Sequence, residues 1–542
     1  MSADLTPPYR RRGRARGVGA RLRTAVAAAA VAALAAGGCG GVVPAAPTAT
    51  AAPTRLTIAT SFAINDLDPL ENGFWAPEFG YGALLLKPVK GGRLEPWLLE
   101  APPERTGPTV WTLRLRAGLA FHNGAAIDAA ALAGLLSFHL AENPSVRPLL
   151  PGATAAATGP LTVTLSTARP TSYVPSLLGH ESMFPIFDLA AYRQVRRKPA
   201  ADRPAALVAA RIWSGPYAVT ALTAEAMSLA PAPGYRLSTP RLTHLTVRFV
   251  PDAQARVLAV RHGEADLALY PPTSAARELA GRTDAYFLNQ AAGTAAEGFQ
   301  LVLNQRTGPL AEVAVRQALR YGIDYAQLAT QVLNGQYDTA VGWYPAFLPY
   351  ARRNQTTDAG RANASLDAAG WTRGADGTRS RAGKPLRITV LTYPQQPDAR
   401  TVAVALQAQL RAVGFDVQVR QVDDITAAVS QPGGWDAAVL GNGSLDWTQT
   451  DPVTPIISSF TATGDNNHGG VRDPELERLA AELTGTTDPA TRDRLLVRVQ
   501  QIVVEERVYG VYLARKRVPV VAAPALRGYQ VPPVALLWVD AF

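Results

Sequence analysis

The sequence predicts an α/β protein that is built from two or three domains. About 490 residues follow the N-terminal region, more than a single hydrophobic core usually holds. Residues 299–303 present alternate side chains to opposite faces, as a strand does. Strands are also predicted at 386–391 and 415–419, on either side of a helix over 400–413 whose apolar residues share one face. This β-α-β order predicts parallel pairing through a right-handed crossover.

The same patterns define elements in order along the chain. Residues 110–116 alternate, which predicts a strand with Trp111, Leu113 and Leu115 facing inward. Asn123-Gly124 then predicts a tight turn, and Asp128 predicts the cap of a helix. Further strands are predicted at 56–59, 161–165, 242–249, 437–440 and 508–513, with a helix over 253–262.

Residues 1–38 are predicted to be a signal peptide outside the fold. Seven arginines precede an apolar run, Ala25–Ala36, which is too short to span a bilayer. The run leads to Cys39, the only cysteine of the chain, in a setting that resembles a lipoprotein cleavage site. We therefore expect lipidation at Cys39 and a flexible tether over 39–54. An ordinary secretory signal is the alternative, and the export route stays open between general secretion and a twin-arginine route.

The charge balance argues against a nucleic-acid partner. The whole chain carries a formal net charge of +10. Residues 1–38 hold seven arginines and one acid, so removing them leaves a net charge of +4. A charge this small, spread thinly, gives no basic stripe for a phosphate backbone to bind.

Residues 299–333 carry the pattern around which the remainder is organised. A strand ends at Asn304, a loop follows with Gly308-Pro309, and a helix begins in the run VAVRQALRYG. Asp324 predicts the cap of a second helix. This order resembles the hinge-crossing segment of the extracytoplasmic solute-binding proteins of peptide-type ABC transporters, solute-binding family 5. The arginines of the first helix are interpreted as structural residues of a surface helix.

Further blocks resemble the same family in the same order. They are LDPL at 67–70, RAGLAFHNG at 116–124, IWSGPYAV at 212–219, GEADLAL at 263–269 and SLDAAGW at 365–371. His122, in the second of these, is interpreted as a residue that supports a turn rather than a metal ligand. Trp213 and Ser214 stand where the family has Gly-Thr.

The resemblance implies a periplasmic-binding-protein-like, two-lobed α/β fold of type II, in the large three-segment class. Mixed sheets flanked by helices would enclose a cleft between the lobes. The implied division is lobe one from 55–88, 212–296 and 510–542, a small extra domain over 89–211, and lobe two over 297–509. Ligand would stabilise a closed state, which then docks on a membrane permease served by ATPase subunits.

The candidate ligand site centres on the loop that follows the strand at 437–440. Ligands of open α/β sheets tend to lie at the carboxyl ends of strands. By its position in the family pattern, Asp446 would pair with the α-ammonium group of a bound peptide; a turn capped by its own backbone is the structural alternative. The aromatic loop at 74–81 borders the cleft in the family. The candidate ligand-binding residues are Asp446, Trp447, Asn442, Trp75, Phe74, Trp213 and Trp343.

The sequence lacks the common motifs of catalysis. It contains no Gly-x-Ser-x-Gly, no phosphate-binding loop and no His-Glu-x-x-His, and its six histidines never stand at metal-ligand spacing. We therefore expect no enzyme, no cofactor and no bound metal, but a monomeric, lipid-anchored binder at the outer face of the cell membrane. The expected ligand is a peptide. Alternatives are a metal chelate, sugar or other small molecule, a ligand sensor at the cell surface, and a secreted hydrolase.

Overall fold

The computed structural model describes residues 54–89, 93–292, 297–441, 451–486, 488–532 and 538–539. Cys39 and the loop residues Asn442, Asp446 and Trp447 lie outside the described residues. Among the described residues, none of the helices has the length and apolar character needed to cross a membrane.

Strands and helices alternate along most of the described chain. The strands are β1 (Arg55–Thr60), β2 (Leu86–Val89), β3 (Arg93–Pro96), β4 (Glu104–Gly107), β5 (Val110–Arg114), β6 (Thr154–Ala157), β7 (Thr162–Ser166), β8 (Tyr217–Leu222), β9 (Ala226–Pro231), β10 (His244–Phe249), β11 (Leu267–Leu269), β12 (Tyr286–Leu288), β13 (Glu297–Leu303), β14 (Asp338–Thr339), β15 (Thr372–Arg373), β16 (Arg379–Arg381), β17 (Lys384–Pro385), β18 (Arg387–Thr392), β19 (Asp416–Gln421), β20 (Ala437–Leu440), β21 (Gly510–Lys516) and β22 (Val520–Ala522). The α-helices are α1 (Trp75–Glu78), α2 (Ala129–Glu142), α3 (Val174–Leu178), α4 (Leu189–Arg196), α5 (Arg203–Ala210), α6 (Ala253–Arg261), α7 (Ala275–Glu278), α8 (Val313–Gly322), α9 (Tyr325–Gln327), α10 (Ala359–Ala368), α11 (Pro397–Val413), α12 (Ile425–Ser430), α13 (Val453–Phe460), α14 (Pro474–Gly485) and α15 (Pro489–Gln500). Short 3-10 turns lie at Ala200–Asp202, Pro309–Ala311 and Pro524–Leu526, and π-helical turns at Leu328–Val332 and Gln501–Glu506.

The first large sheet has the strand order β12-β22-β11-β1-β10-β9-β8. Its central strand β1 pairs in parallel with both β10 and β11, while the outer pairings are antiparallel. The carboxyl ends of β1 and β11 therefore meet at one edge of the sheet. Helix α6 packs beside this sheet, and its predicted bounds agree with the structure to within one residue.

The second large sheet has the strand order β14-β21-β13-β20-β18-β19. Strands β18 and β19 pair in parallel on either side of α11, which confirms the predicted parallel β-α-β pairing. All seven residues of β13 are buried, as expected for a strand covered on both faces. Helix α11 ends at Gly414, whose φ of +104° is the left-handed conformation that glycine accepts.

Two segments of the chain connect the two large sheets, one from β12 to β13 and one from β21 to β22. β12 and β22 pair in the first sheet, and β13 and β21 pair in the second. The chain therefore crosses between Leu288 and Glu297 and returns between Lys516 and Val520. The lobe division predicted from the sequence places the two crossings between residues 296 and 297 and between residues 509 and 510. The second crossing follows residue 516 in the structure, because all of β21 belongs to the second sheet. The boundaries of the lobes stay a prediction.

A smaller antiparallel sheet, β4-β5-β7-β6, lies within residues 104–166 and packs against α2. Trp111, Leu113 and Leu115 are buried, as their alternation predicted. Asp128 caps α2 by accepting a hydrogen bond from the amide of Ala131 at 2.8 Å, which confirms the predicted cap.

Helices α13, α14 and α15 contribute to the core that the first sheet shares with the smaller sheet. Ile456, Leu479 and Val499 belong to this core, whereas α8 and α11 pack in the separate core of the second sheet. The chain between β20 and β21 thus leaves the second sheet's core before it re-enters that sheet.

The arginines of α8 are buried, not on a surface helix as predicted. The Arg316 guanidinium donates from Nε to the carbonyls of Arg507 and Val508, at 2.8 and 3.0 Å. Arg320 is also buried and bonds the carbonyl of Asn354. Burial lowers the pKa of Arg316 to about 10. The prediction of a structural role is confirmed, because these side chains satisfy main-chain carbonyls that would otherwise be buried without partners.

Candidate functional site

The candidate site lies where the carboxyl ends of β1 and β11 in the first sheet face residues of the second sheet. Ser61 follows β1, and its Oγ donates to the carbonyl of Gln395 at 3.0 Å. Thr273 follows β11 and bonds Asp398, at the start of α11. Because ligands of α/β sheets bind beyond the carboxyl ends of strands, the cleft bounded by these contacts is the candidate ligand site.

Tyr270 is a buried residue at this junction, and the Lys516 ammonium group of the second sheet lies 5.0 Å from the centre of its ring. It directly follows β11 in a left-handed backbone conformation, with a φ of +51°. Arg256 fixes this conformation by donating from Nη2 to the Tyr270 carbonyl at 2.7 Å and from Nε to the Leu269 carbonyl at 2.9 Å. The Tyr270 ring meets that of Phe62 edge-on at 5.3 Å. A bulky residue held in this conformation is uncommon, and such residues cluster at binding sites.

Glu78, at the end of α1, is a buried acid beside Tyr270. Its Oε1 accepts hydrogen bonds from the Tyr270 hydroxyl at 3.3 Å and from Nε1 of Trp538 at 2.7 Å. Burial raises the pKa of Glu78 well above its usual value, and the charges of Glu297 and Glu181 raise it further. Burial thus favours the protonated form of Glu78, and a cation placed beside it would stabilise the carboxylate instead.

Lys516 is the last residue of β21 and is also buried. Its ammonium group lies 3.3 Å from Oε1 of Gln396, 3.4 Å from the carbonyl of Gly441 and 5.0 Å from the centre of the Tyr270 ring. It is paired in register with Glu297 on β13. A buried cation thus stands among buried acids at the point where the two sheets join.

Asp398 is the buried acid that the second sheet's side contributes to this cluster of polar residues. Its Oδ1 accepts hydrogen bonds from the amide of Thr273 at 3.2 Å and from the Thr273 hydroxyl at 3.0 Å. Burial raises the pKa of Asp398 to about 6, although both of these bonds and the charge of Lys516 act to lower it.

Two of the predicted aromatic residues, Phe74 and Trp75, lie near Phe62 and Tyr270. The Trp75 ring lies 5.2 Å from the Phe62 ring and 4.5 Å from the Phe74 ring, tilted in both pairs, so Phe74 and Trp75 adjoin the ring that contacts Tyr270. Phe74 is half-buried, whereas Trp75 is almost completely buried.

The other two predicted tryptophans lie in hydrophobic cores. Trp213 packs edge-on against Tyr81 at 5.2 Å, and Trp343 packs against Phe460 and Tyr512 at 5.0 and 5.1 Å. Both side chains are almost fully buried. The structure therefore brings Phe74 and Trp75 together and places Trp213 and Trp343 in hydrophobic packing with other rings.

The predicted loop begins at the polar cluster. Gly441, the last described residue before it, donates its amide to the Tyr393 hydroxyl at 3.1 Å and approaches Lys516 through its carbonyl. Beyond the loop, Asp451 accepts the amide of Val453 at 3.1 Å at the start of α13.

His122 connects the region of the predicted turn to residues 213–215. Its Nε2 bonds the carbonyl of Gly215 at 2.8 Å, and its amide donates to the carbonyl of Trp213 at 2.7 Å. Burial lowers the pKa of His122 to about 4, so the ring is neutral at pH 7.

Sequence reasoning missed Tyr270, Glu78, Lys516 and Asp398. The rule that ligands bind beyond the carboxyl ends of strands selects Tyr270, because GEADLAL predicts the strand that it follows. The other three carry no local motif, and only the topology brings them together.

The cluster suits a ligand that carries both charges. Glu297 is paired in register with Lys516, the charge of Lys516 acts on Asp398, and Glu78 bonds the neighbouring Tyr270. A charged group bound beside these residues would exchange hydration for charge-assisted hydrogen bonds. Among the residues that the structure describes, no group of three His, Cys, Asp or Glu side chains is placed to hold a metal ion.

Two sheets joined by paired crossings, with a buried polar cleft between them, define a two-lobed solute-binding protein. Residues 93–466 match the family described as bacterial extracellular solute-binding proteins, family 5. The chain belongs to this family, which confirms the resemblance seen in the sequence. Family members are extracytoplasmic substrate-binding components of ABC transporters, and this chain is such a component.

Individual relatives differ in ligand. The chain is 25% identical to the nickel-binding periplasmic protein of Escherichia coli (strain K12) over 510 residues, covering 90% of this chain and 93% of the relative. The structure of Staphylococcus aureus NikA in complex with Ni(L-His)2 has a TM-score of 0.77 at 20% identity, covering 89% of this chain and 97% of that one. The Bacillus subtilis oligopeptide-binding protein AppA, in complex with a nonapeptide, has a TM-score of 0.74 at 18% identity, covering 89% and 97%. These structures confirm the predicted two-lobed fold.

Proposed function

We propose that the chain captures a short peptide between its two lobes and delivers it to an ABC permease. The observation that carries this proposal is the buried mixed-charge cluster between the sheets. Its acids suit an α-ammonium group, and Lys516 supplies a positive charge near the opposite end of a zwitterion. The contacts of Ser61 and Thr273 with the second sheet bring the lobes together around this cluster.

A nickel chelate is the second candidate ligand. Two nickel-binding relatives match this chain over most of its length, at 22% and 25% identity. Because the described residues offer no group of three metal-ligating side chains, a metal would enter as a preformed complex with small organic ligands. Such a complex also carries amine and carboxylate groups, so the same cluster could contact it.

The ligand can be identified from what the protein carries when it is purified. Native protein, isolated in buffer without added peptide or metal, is denatured, and the released small molecules are analysed by mass spectrometry and for nickel. Peptides in the filtrate, together with calorimetric binding of a tripeptide library, support the proposal. Stoichiometric nickel with no peptide, and binding of nickel–histidine alone, would replace it with the second candidate.

We further propose that the mature protein is a monomer held at the outer face of the cell membrane by lipid on Cys39. A lone cysteine cannot form an intramolecular disulfide, and it follows an apolar run that ends in small residues. The segment 39–54, rich in Pro, Ala and Thr, would separate the anchor from the folded body.

A further inference from the structure

The contact between Thr273 and Asp398 connects the two large sheets. Thr273 belongs to the loop after β11 of the first sheet, and Asp398 to the first turn of α11, which packs on the second. The Thr273 hydroxyl donates to Asp398 and accepts from Nδ2 of Asn334 at 3.2 Å. Asn334 follows the π-helical turn before β14, so both partners of this hydroxyl come from the side of the second sheet.

The geometry of Asp398 differs from that of an ordinary acid in a first helical turn. Such an acid usually faces water and interacts with the helix dipole. Asp398 is 6% exposed, and its carboxylate bonds a residue 125 positions away. Eight of the described helices are instead capped by an Asp that bonds the amides of its own first turn: α2, α4, α6, α9, α10, α12, α14 and α15. Asp398 thus contributes its carboxylate to the contact between the sheets.

We propose that Asp398 and Thr273 form a clasp that sets how far the cleft is closed. This proposal rests on the proposed capture of a ligand by closure and names the residues that control it. When the sheets separate, the carboxylate returns to water at the N-terminus of α11 and Thr273 loses both partners. When they close, the carboxylate loses its hydration and gains the two hydrogen bonds from Thr273.

The clasp makes closure depend on pH. The groups facing Asp398 are Lys516 of β21, whose charge lowers the pKa of this acid, and the phenol of Tyr337, whose own pKa is raised by burial and by the charge of Asp398. In the closed state the pKa of Asp398 is about 6, against a usual value of 3.8 in water. The closed state therefore binds the proton more tightly. Its advantage is complete below pH 3.8 and is lost as the pH rises through 6.

The experiment follows the separation of the lobes without ligand. Dyes attached at Leu258→Cys in α6 and Val404→Cys in α11, both exposed positions, report the distance in a Cys39→Ala background. Energy transfer is measured between pH 4 and pH 8 on the full mature chain stripped of bound solute. In the parent protein we expect the ratio of closed to open molecules to fall by up to about tenfold per pH unit between pH 4 and pH 6.

Three variants separate the clasp from a general structural effect. Asp398→Asn keeps an acceptor for both bonds but cannot titrate there, so we expect its closed fraction to stay high and constant over the same range. Thr273→Val removes the hydroxyl and should lower the closed fraction at every pH. Ser61→Ala removes the 3.0 Å bond to Gln395, which has no titratable group, and should keep the pH dependence of the parent.

Thermal unfolding of each variant shows whether it is folded. A parent protein whose dye separation does not change with pH, or an Asp398→Asn variant that changes as the parent does, would overturn the clasp. Neither outcome affects the ligand proposal, because that is tested by the molecules released from purified protein.

Discussion

The ammonium group of Lys516 lies 5.0 Å from the centre of the Tyr270 ring. Lys516 ends β21 of the second sheet, and Tyr270 follows β11 of the first, so this contact joins the two sheets across the cleft. A cation over an aromatic face gains energy when both are withdrawn from water. The face of the Tyr270 ring therefore contacts the Lys516 ammonium group, and the Tyr270 hydroxyl donates a hydrogen bond to Glu78.

Tyr270→Phe should weaken ligand binding and lower stability together. The substitution keeps the ring under Lys516 but removes the hydroxyl donor of Glu78, which costs about 1–3 kcal/mol for a buried polar partner. Urea unfolding and calorimetry with the identified ligand measure the two effects. Tyr173→Phe is the matched control, because its hydroxyl bonds the Leu149 carbonyl at 2.6 Å outside this cluster. Equal losses of affinity in both variants would contradict a role for the Tyr270 hydroxyl in the cleft.

Elements that depend on neighbours in sequence could be predicted, and contacts that depend on topology could not. Asp128 lies next to the helix start that it caps, so a short window of sequence suffices. Glu78 and Lys516 approach Tyr270 only because β11, β21 and α1 meet at the cleft. No periodicity in sequence carries that information.

The aromatic candidates show a second limit. A tryptophan supplies a large apolar ring that fills a core as well as it stacks on a ligand. Trp213 packs against Tyr81 and Trp343 against Phe460, whereas Trp75 lies in the ring cluster beside Tyr270. Composition alone could not separate these two environments.

The stability of the Glu78→Gln variant, measured relative to the parent, should increase as the pH rises. Burial raises the pKa of Glu78, so the folded state binds its proton more tightly than the unfolded state, whose pKa is the usual 4.5. The contribution of Glu78 to stability is present below pH 4.5 and is lost as the pH rises. Urea unfolding at several pH values measures the difference. The exposed pair of Glu264 with Arg248 at 3.3 Å supplies a control, Glu264→Gln, which should change little. A constant difference between Glu78→Gln and the parent at all pH values would refute this prediction.

Asp446→Asn distinguishes the peptide from other ligands. If Asp446 pairs with the α-ammonium group, the substitution should weaken peptide binding by at least about tenfold, which corresponds to about 1.4 kcal/mol. An N-acetylated peptide should bind poorly to the parent and lose little more in the variant. Calorimetry with both peptides tests this. If free and acetylated peptides weaken equally, a turn capped by Asp446 or a ligand contact through Trp447 becomes the better interpretation.

Cys39→Ala should release the protein from the membrane. Cys39 is the only thiol, and stable anchoring needs more than one acyl chain, so loss of the modified residue removes the whole anchor. Fractionation of cells followed by immunoblotting gives the ratio of membrane-bound to released protein. Retention equal to that of the parent would show that another feature holds the protein at the membrane.

Gly298→Ala should destabilise the junction between the two sheets. Gly298 is the second residue of β13, and a Cβ there would lie 2.7 Å from the carbonyl oxygen of Ala514 and 2.8 Å from the Tyr512 ring. Because the first of these atoms belongs to the backbone of the paired strand, β13 and β21 would have to separate, and overpacking of this kind costs about 1–3 kcal/mol. Gly134→Ala is the control, since Gly134 lies within α2 with nothing within 4 Å of an added Cβ. Alanine should stabilise that helix by about 0.5–1 kcal/mol. Urea unfolding measures the free energy of unfolding of both variants. If Gly298→Ala is as stable as the parent, β13 and β21 can separate enough for the added Cβ without loss of stability.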